Sequence, residues 1–211
     1  MSHPVLTVHP ELPIQEALNL MHTEHVRRLP VVDKRGNLVG IVTEKDLLNA
    51  SPSEASTLSV WEVSYLLSKI TVERIMNRNV ICVPEDMPLE EAARIMADHK
   101  IGSLPVVRKN ELVGIITETD LFKIFLELLG AREGGVRLTV LVKDEPGMLY
   151  RLTGAVQTLG GNIIALGTFM GESTQSGLVT LKVSDVGVED LKKAVEPLVE
   201  KVVDIRQVAA V

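Results

Sequence analysis

The chain has 211 residues, 45% of them hydrophobic and 24% charged, with a formal net charge of −6. That length suits one to three small domains. The acidic balance and the 3% aromatic content lack the basic surface and stacking platforms that nucleic acid demands.

The deficit is uneven. Residues 1–135 carry 14 basic and 19 acidic side chains, and residues 136–211 carry 8 and 9. Cys82 is the only cysteine, so no intrachain disulfide forms and a reducing cytoplasm is the expected compartment. No apolar run approaches the ~20 residues of a membrane helix, and nothing at the start reads as a signal peptide.

In chain order, a short strand at 5–8 leads to a helix opened by Pro13, since proline suits a first helical position. Ile14, Ala17, Leu18 and Met21 fall at helical spacing. Leu29-Pro30-Val31-Val32 reads as a strand. A turn follows, and then Leu38-Val39-Gly40-Ile41-Val42-Thr43-Glu44-Lys45-Asp46-Leu47 reads as a β-branched strand running into a helix. This stretch returns as Leu112-Val113-Gly114-Ile115-Ile116-Thr117-Glu118-Thr119-Asp120-Leu121, changed only at Val42/Ile116 and Lys45/Thr119.

The repeat is longer than that stretch. Met1 and Met76, Val5 and Val80, Ala17 and Ala92, Met21 and Met96, and Leu29–Val32 and Leu104–Val107 all stand 75 apart. The second copy therefore has a strand at 80–83, a helix opened by Pro88, and the same β-β-α ending. Each unit is β-α-β-β-α.

Between the copies lies a polar loop at 51–57. A helix carrying Trp61, Tyr65 and Leu66 follows, reaching Lys69. Thr71 reads as the N-cap of a turn over 72–76. That turn has no counterpart before Met1, so either the natural chain is longer or the first half lacks a supporting turn.

Thr43-x-x-Asp46 and Thr117-x-x-Asp120 have two readings. Each is a capping box. Each also places a hydroxyl and free N–H groups at a helix start, ready for phosphate, with an aspartate one turn on to accept two ribose hydroxyls.

The doubled unit ending in G-h-h-T-x-x-D resembles a tandem pair of cystathionine-β-synthase (CBS) domains, the Bateman module, over about residues 1–127. The resemblance implies clefts for adenosine nucleotides (AMP, ADP or ATP) between the repeats. Thr43 and Thr117 would meet phosphate, and Asp46 and Asp120 would hold ribose. Val5-Leu6-Thr7 and Val80-Ile81-Cys82 would flank adenine, with Met76 a further contact. Arg27 and Arg28, before Leu29-Pro30, occupy the family's phosphate-cation positions, and their guanidinium forks suit phosphate. The second repeat departs there, with Gly102-Ser103, so one arginine pair is left to serve both clefts.

Residues 130–135 form a glycine-rich hinge. Beyond it, Leu138, Val140 and Val142 alternate as a strand. Asp144-Glu145-Pro146-Gly147 turns the chain into a helix over 148–159, ended by Gly160-Gly161. Strands at 163–170 and 178–183, a helix at 189–199 and a strand at 202–208 complete a ferredoxin-like βαββαβ plait. The D-x-P-G turn and Gly161-Asn162-Ile163 resemble an ACT domain, a regulatory module that often binds amino acids. If it does here, Asp144, Gly147, Met148 and Asn162 are the implied contacts; the same residues are also simply good turn formers.

The expected fold is thus α/β (α+β): CBS repeats at 1–50 and 72–129 joined by a linker at 51–71, a hinge at 130–135, and an ACT-like domain at 136–211. Two CBS repeats followed by an ACT domain resemble the acetoin-utilization regulatory protein family.

No P-loop, G-x-G-x-x-G, G-x-S-x-G or H-E-x-x-H motif is present. His22 and His25 share a helix face without a third ligand for a metal. The expectation is a non-enzymatic sensor, a homodimer without cofactor, metal, nucleic acid or membrane, acting on a regulated enzyme. The alternative is an amino-acid sensor in which the CBS pair only dimerises. A nucleotide hydrolase is disfavoured, because no catalytic base is visible.

Overall fold

The computed structural model describes residues 5–50, 69–171, 173 and 175–210. The expected helix around Trp61 and Tyr65 lies outside them. The chain divides into two compact units, Met1–Leu121 and Phe122–Val211.

In the first unit, helix α1 (Ile14–Thr23) precedes strands β1 (Arg28–Val32) and β2 (Leu38–Thr43) and helix α2 (Glu44–Asn49). The second repeat has β3 (Val83–Pro84), α4 (Leu89–His99), β4 (Ser103–Arg108), β5 (Glu111–Thr117) and α5 (Glu118–Leu128). The division between the units falls inside α5, ahead of the glycine-rich 130–135 segment.

The proline assignment shifts by one residue. Pro13 and Pro88 are N-caps in extended conformation, not first helical residues. Their carbonyls accept the first helical bonds, from Ala17 and Ala92, so the fixed proline φ serves entry into the helix.

The two hairpins share a register. β1 pairs antiparallel with β2, placing Arg28 opposite Thr43, and β4 pairs with β5, placing Ser103 opposite Thr117. β3 runs parallel to β4, and in the first repeat the same position is held by a single bridge from Val8 to Val31.

Ile14, Ala17, Met21, Leu29, Val31 and Val42 form the core of the first repeat, as their spacing predicts. Ala92, Met96, Leu104, Val106 and Ile116 form that of the second. Helix α3 (Val72–Ile75) and Met76 open the expected second repeat at 72–129, yet they pack into the core of the first. Val72 N–H donates to the Leu12 carbonyl and Ile14 N–H to the Ile70 carbonyl. The turn the sequence leaves without a counterpart thus supports the first repeat. Thr71 holds its N-cap position, but its side chain makes no capping bond.

The second unit follows the predicted plait: β6 (Gly135–Lys143), α6 (Met148–Thr158), β7 (Asn162–Met170), β8 (Ser176–Ser184), α7 (Val188–Val195), a 3-10 turn (Glu196–Leu198) and β9 (Lys201–Val208). The sheet order is β7-β8-β6-β9, with every neighbouring pair antiparallel. The helix expected over 189–199 ends early because Pro197 tightens its last turn. Val136, Leu138, Val140 and Val142 meet Leu152, Val156, Leu191 and Val195 in one core. Among the described residues, no helix is long and apolar enough to cross a membrane.

Candidate functional site

The hairpin register builds the site from local rules. Because Arg28 faces Thr43 across the strands, the residues before Leu29-Pro30 lie beside the start of α2. Glu44 N–H donates to the Arg27 carbonyl at 3.0 Å. The second repeat does the same, Glu118 N–H donating to Gly102 at 3.2 Å.

Both Thr-x-x-Asp motifs form capping contacts. Asp46 Oδ2 accepts from Thr43 N–H at 2.9 Å and from its hydroxyl at 2.6 Å, while Asp46 N–H donates to Thr43 Oγ1 at 3.2 Å. Asp120 Oδ2 accepts from Thr117 N–H at 2.9 Å and its hydroxyl at 2.8 Å, and Asp120 N–H donates back at 3.3 Å. Each hydroxyl has one proton to give, and the carboxylate takes it. The threonines in this arrangement therefore orient the aspartates, and the donors left for phosphate lie elsewhere. Asp46 Oδ1 has no partner among the described residues.

Two clefts in the first unit border these motifs, of 530 and 580 Å³, within the range of small-molecule sites. The first combines Thr43 and Asp46 of repeat one with Val80 and Ile81 from the first strand region of repeat two. The second combines Thr117 of repeat two with Val5 and Leu6 of repeat one. The repeats exchange parts: each motif faces the partner repeat's first segment. Asp120 stands one helical turn from Thr117 but does not itself line the second cleft.

Arg27 and Arg28 border both clefts. Arg28 extends across Gly102, where an added Cβ would stand 2.1 Å from its Nη2, and reaches Glu118 at 3.9 Å. Glycine in the second repeat thus makes room for the first repeat's arginine. Lys100 and Lys45 add two cations to the first cleft, and Asn77 and Asn79 add amides. The second cleft gains His25 together with the acids Glu24 and Glu118. The first is the more basic of the two.

Sequence reasoning missed Lys100 and weighed His25 only as a metal ligand on the helix face of His22, whereas His25 lies beyond the end of α1 at Thr23. Lys100 and His25 stand 75 apart and both take left-handed backbone, with φ of 52° and 53°, so the repeat offset that aligned the cores could have paired them.

Three residues expected at the clefts lie elsewhere. Met76 is buried against Gly40, where an added Cβ would stand 2.6 Å from its Sδ. Thr7 and Cys82 border neither cleft. Partial desolvation pushes the Cys82 thiol above its ordinary pKa.

In the second unit, Asp144, Gly147 and Met148 share an 890 Å³ cleft with Tyr150, Phe169 and Met170. Gly147 takes φ of 85° at the N-cap of α6, and Glu145 pairs with Arg151. Asn162 is not brought there. It begins β7, whose opposite end supplies Phe169 and Met170, roughly 25 Å along an extended strand.

A CBS-domain family model matches residues 1–53 and 72–127, and a TTHA0829-like ACT domain model matches residues 134–206. The L-aspartate semialdehyde sulfurtransferase of Methanocaldococcus jannaschii is 34% identical over 126 residues, 59% of this chain but 22% of that protein. The chain thus spans under a quarter of that relative's length. Among solved structures, a Vibrio cholerae protein described as an acetoin utilization protein (AcuB) is 35% identical, with a TM-score of 0.52 covering 62% of this chain and 89% of that one. The CBS domain pair of M. jannaschii protein MJ0100, crystallised with 5′-methylthioadenosine and S-adenosyl-L-methionine, is 34% identical over 59% of this chain and 90% of its own, with a TM-score of 0.49. With more than half of its length matched by the CBS model, the chain belongs to the CBS-domain family and joins its CBS pair to an ACT domain.

Proposed function

We propose that the CBS pair is a non-enzymatic sensor that binds an adenosine nucleotide of the AMP, ADP or ATP class. The observation that carries this is the exchange of parts. Each cleft sets one repeat's Thr-x-x-Asp corner near the other's first segment, and both border the same two arginines. In the first cleft, Asp46 Oδ1 accepts from the ribose hydroxyls, the base lies along Val80 and Ile81, and Arg27, Arg28 and Lys100 meet the phosphates. In the second, Val5 and Leu6 meet the base, and the ribose reaches past the lining residue Thr117 to Asp120 one helical turn on. Bound ligand then tightens the repeats on each other, a change it drives only by preferring that state.

Equilibrium titration of the full chain with AMP, ADP, ATP and S-adenosylmethionine tests the reading. Saturable binding that Asp46→Ala and Asp120→Ala each weaken supports it. Binding equally tight in both variants, or none by the folded protein, refutes it.

A second reading rests on the Asp144–Met148 cleft, whose apolar wall of Phe169 and Met170 and open Gly147 turn suit an amino-acid side chain and carboxylate. Homodimerisation through α5 is part of the proposal, since Phe122 is 68% and Leu128 66% exposed. A cytoplasmic setting and a regulated partner enzyme complete it.

A further inference from the structure

The plait has a second face, turned away from α6 and α7. Val136, Leu138 and Val140 point to the helices, so the alternate residues of β6, Arg137 and Thr139, point the other way. On that face the register sets Lys182 of β8 opposite Arg137, and Arg137 opposite Arg206 of β9. Three cations stand in one row across the sheet, an arrangement that destabilises when nothing offsets it.

One carboxylate answers them. Asp204 accepts from Arg137 at 3.0 Å and from Arg206 at 2.6 to 3.0 Å. Lys182 has no such partner. It is 5% exposed, and its Nζ donates to the Gly130 carbonyl at 2.7 Å. An ammonium has three donors, and the other two have no partner among the described residues. Buried lysines are ordinarily paired, because an unpaired buried charge is costly. The carbonyl end of α5 offsets part of that cost and leaves the row in excess of positive charge.

Lys182 borders a cavity of 270 Å³ with Arg137, Thr180 and the apolar Leu129, Ala131, Ala165 and Val208. The volume lies below the range of nucleotide-sized ligands. The cavity shares no residue with the Asp144–Met148 cleft. The chain at Gly130 passes close over Lys182 and Ala165, since a Cβ there would stand 3.5 Å from each side chain.

We propose that this cavity is an effector site for a short aliphatic monocarboxylate, its carboxylate bridging Lys182 Nζ and the Arg137 guanidinium and its tail lying against Leu129, Ala165 and Val208. An amino acid fits less well. Both oxygens of Asp204 are already engaged by arginines, so an α-ammonium group would find no anion and would meet the two cations that line the cavity, Lys182 and Arg137.

The test titrates the full chain with acetate, butyrate, isovalerate, leucine and inorganic phosphate, by calorimetry and saturation-transfer NMR. Two variants attack the site differently. Lys182→Met removes the charge and keeps the bulk, and Ala165→Leu fills the cavity and keeps the charges. Butyrate or isovalerate should saturate the wild type and bind at least tenfold more weakly to both variants, with phosphate far weaker throughout and any leucine binding, at the separate Asp144–Met148 cleft, the same in wild type and variants. Thermal unfolding verifies that each variant is folded. Failure of every carboxylate to bind the wild type, undiminished binding to both variants, or phosphate binding as tightly as isovalerate overturns the proposal.

Discussion

Replacing Gly102 with alanine tests how one arginine pair serves two clefts. The new methyl would stand 2.1 Å from Arg28 Nη2, 2.8 Å from its Cζ and 2.8 Å from Glu118 Oε2. These are the ends of flexible side chains, so the guanidinium moves and the backbone does not. The Arg28–Glu118 pair is long and partly exposed, worth about 0–1 kcal/mol. Alanine at a position without positive φ returns about 0.4–1 kcal/mol by restricting the unfolded chain. Stability should therefore change by less than about 1 kcal/mol. Binding should change more. A displaced Arg28 loses a charge-assisted hydrogen bond to phosphate, worth about 1.5–3 kcal/mol, or roughly 10- to 150-fold in Kd at 1.4 kcal/mol per decade. Adenosine, which has no phosphate, should bind Gly102→Ala and wild type alike. Calorimetry with AMP and adenosine reads both quantities. Equal loss for the two ligands, or no loss for AMP, would refute the role given to Arg28.

Thr43→Val and Thr117→Val each remove a cap and free the aspartate that it orients. Each should cost about 0.5–2 kcal/mol by chemical denaturation and weaken adenosine as much as AMP, unlike Gly102→Ala. Leu152→Ala empties a fully buried position in the plait and should destabilise the second unit by about 2–5 kcal/mol, leaving AMP affinity unchanged; a drop in affinity would argue against separate sites. The Arg206 hydrogen bond, followed by the charges of Arg206 and Arg137, holds the Asp204 carboxyl below its ordinary value of 3.8. A depressed folded pKa gives stability that is present above 3.8 and lost as pH falls through the folded value. Asp204→Asn should accordingly be less stable than wild type at neutral pH and approach it below pH 3.8, as urea unfolding at several pH values would show.

Much of this architecture is legible in the sequence because local chemistry agrees with the fold. The β-branched runs, the helical spacing of Ala17 and Met21, and the Asp144–Gly147 turn each specify their element without reference to distant residues. What does not show is long-range. Proximity in sequence assigns Val72 and Met76 to the second repeat, while hydrogen bonds to Leu12 and Ile14 carry that turn to the first. The exchange of segments between clefts has no local signature. Lys182 sits at an outward position of an alternating strand, where a lysine reads as solvated. It is buried because the chain at 129–131 passes over that face of the sheet. Asn162 reads as a partner of Gly147 because both flank α6, but they flank opposite ends of it.

Whether each cleft is shared between repeats and holds an adenosine nucleotide is read most directly from a crystal structure of the full chain with AMP. Ribose hydroxyls should lie on Asp46, the base along Val80 and Ile81, and phosphate on Arg27, Arg28 and Lys100. A nucleotide whose base lies on Val5 and Leu6 while its ribose sits on Asp46, or one bound away from both clefts, would contradict the shared-cleft site.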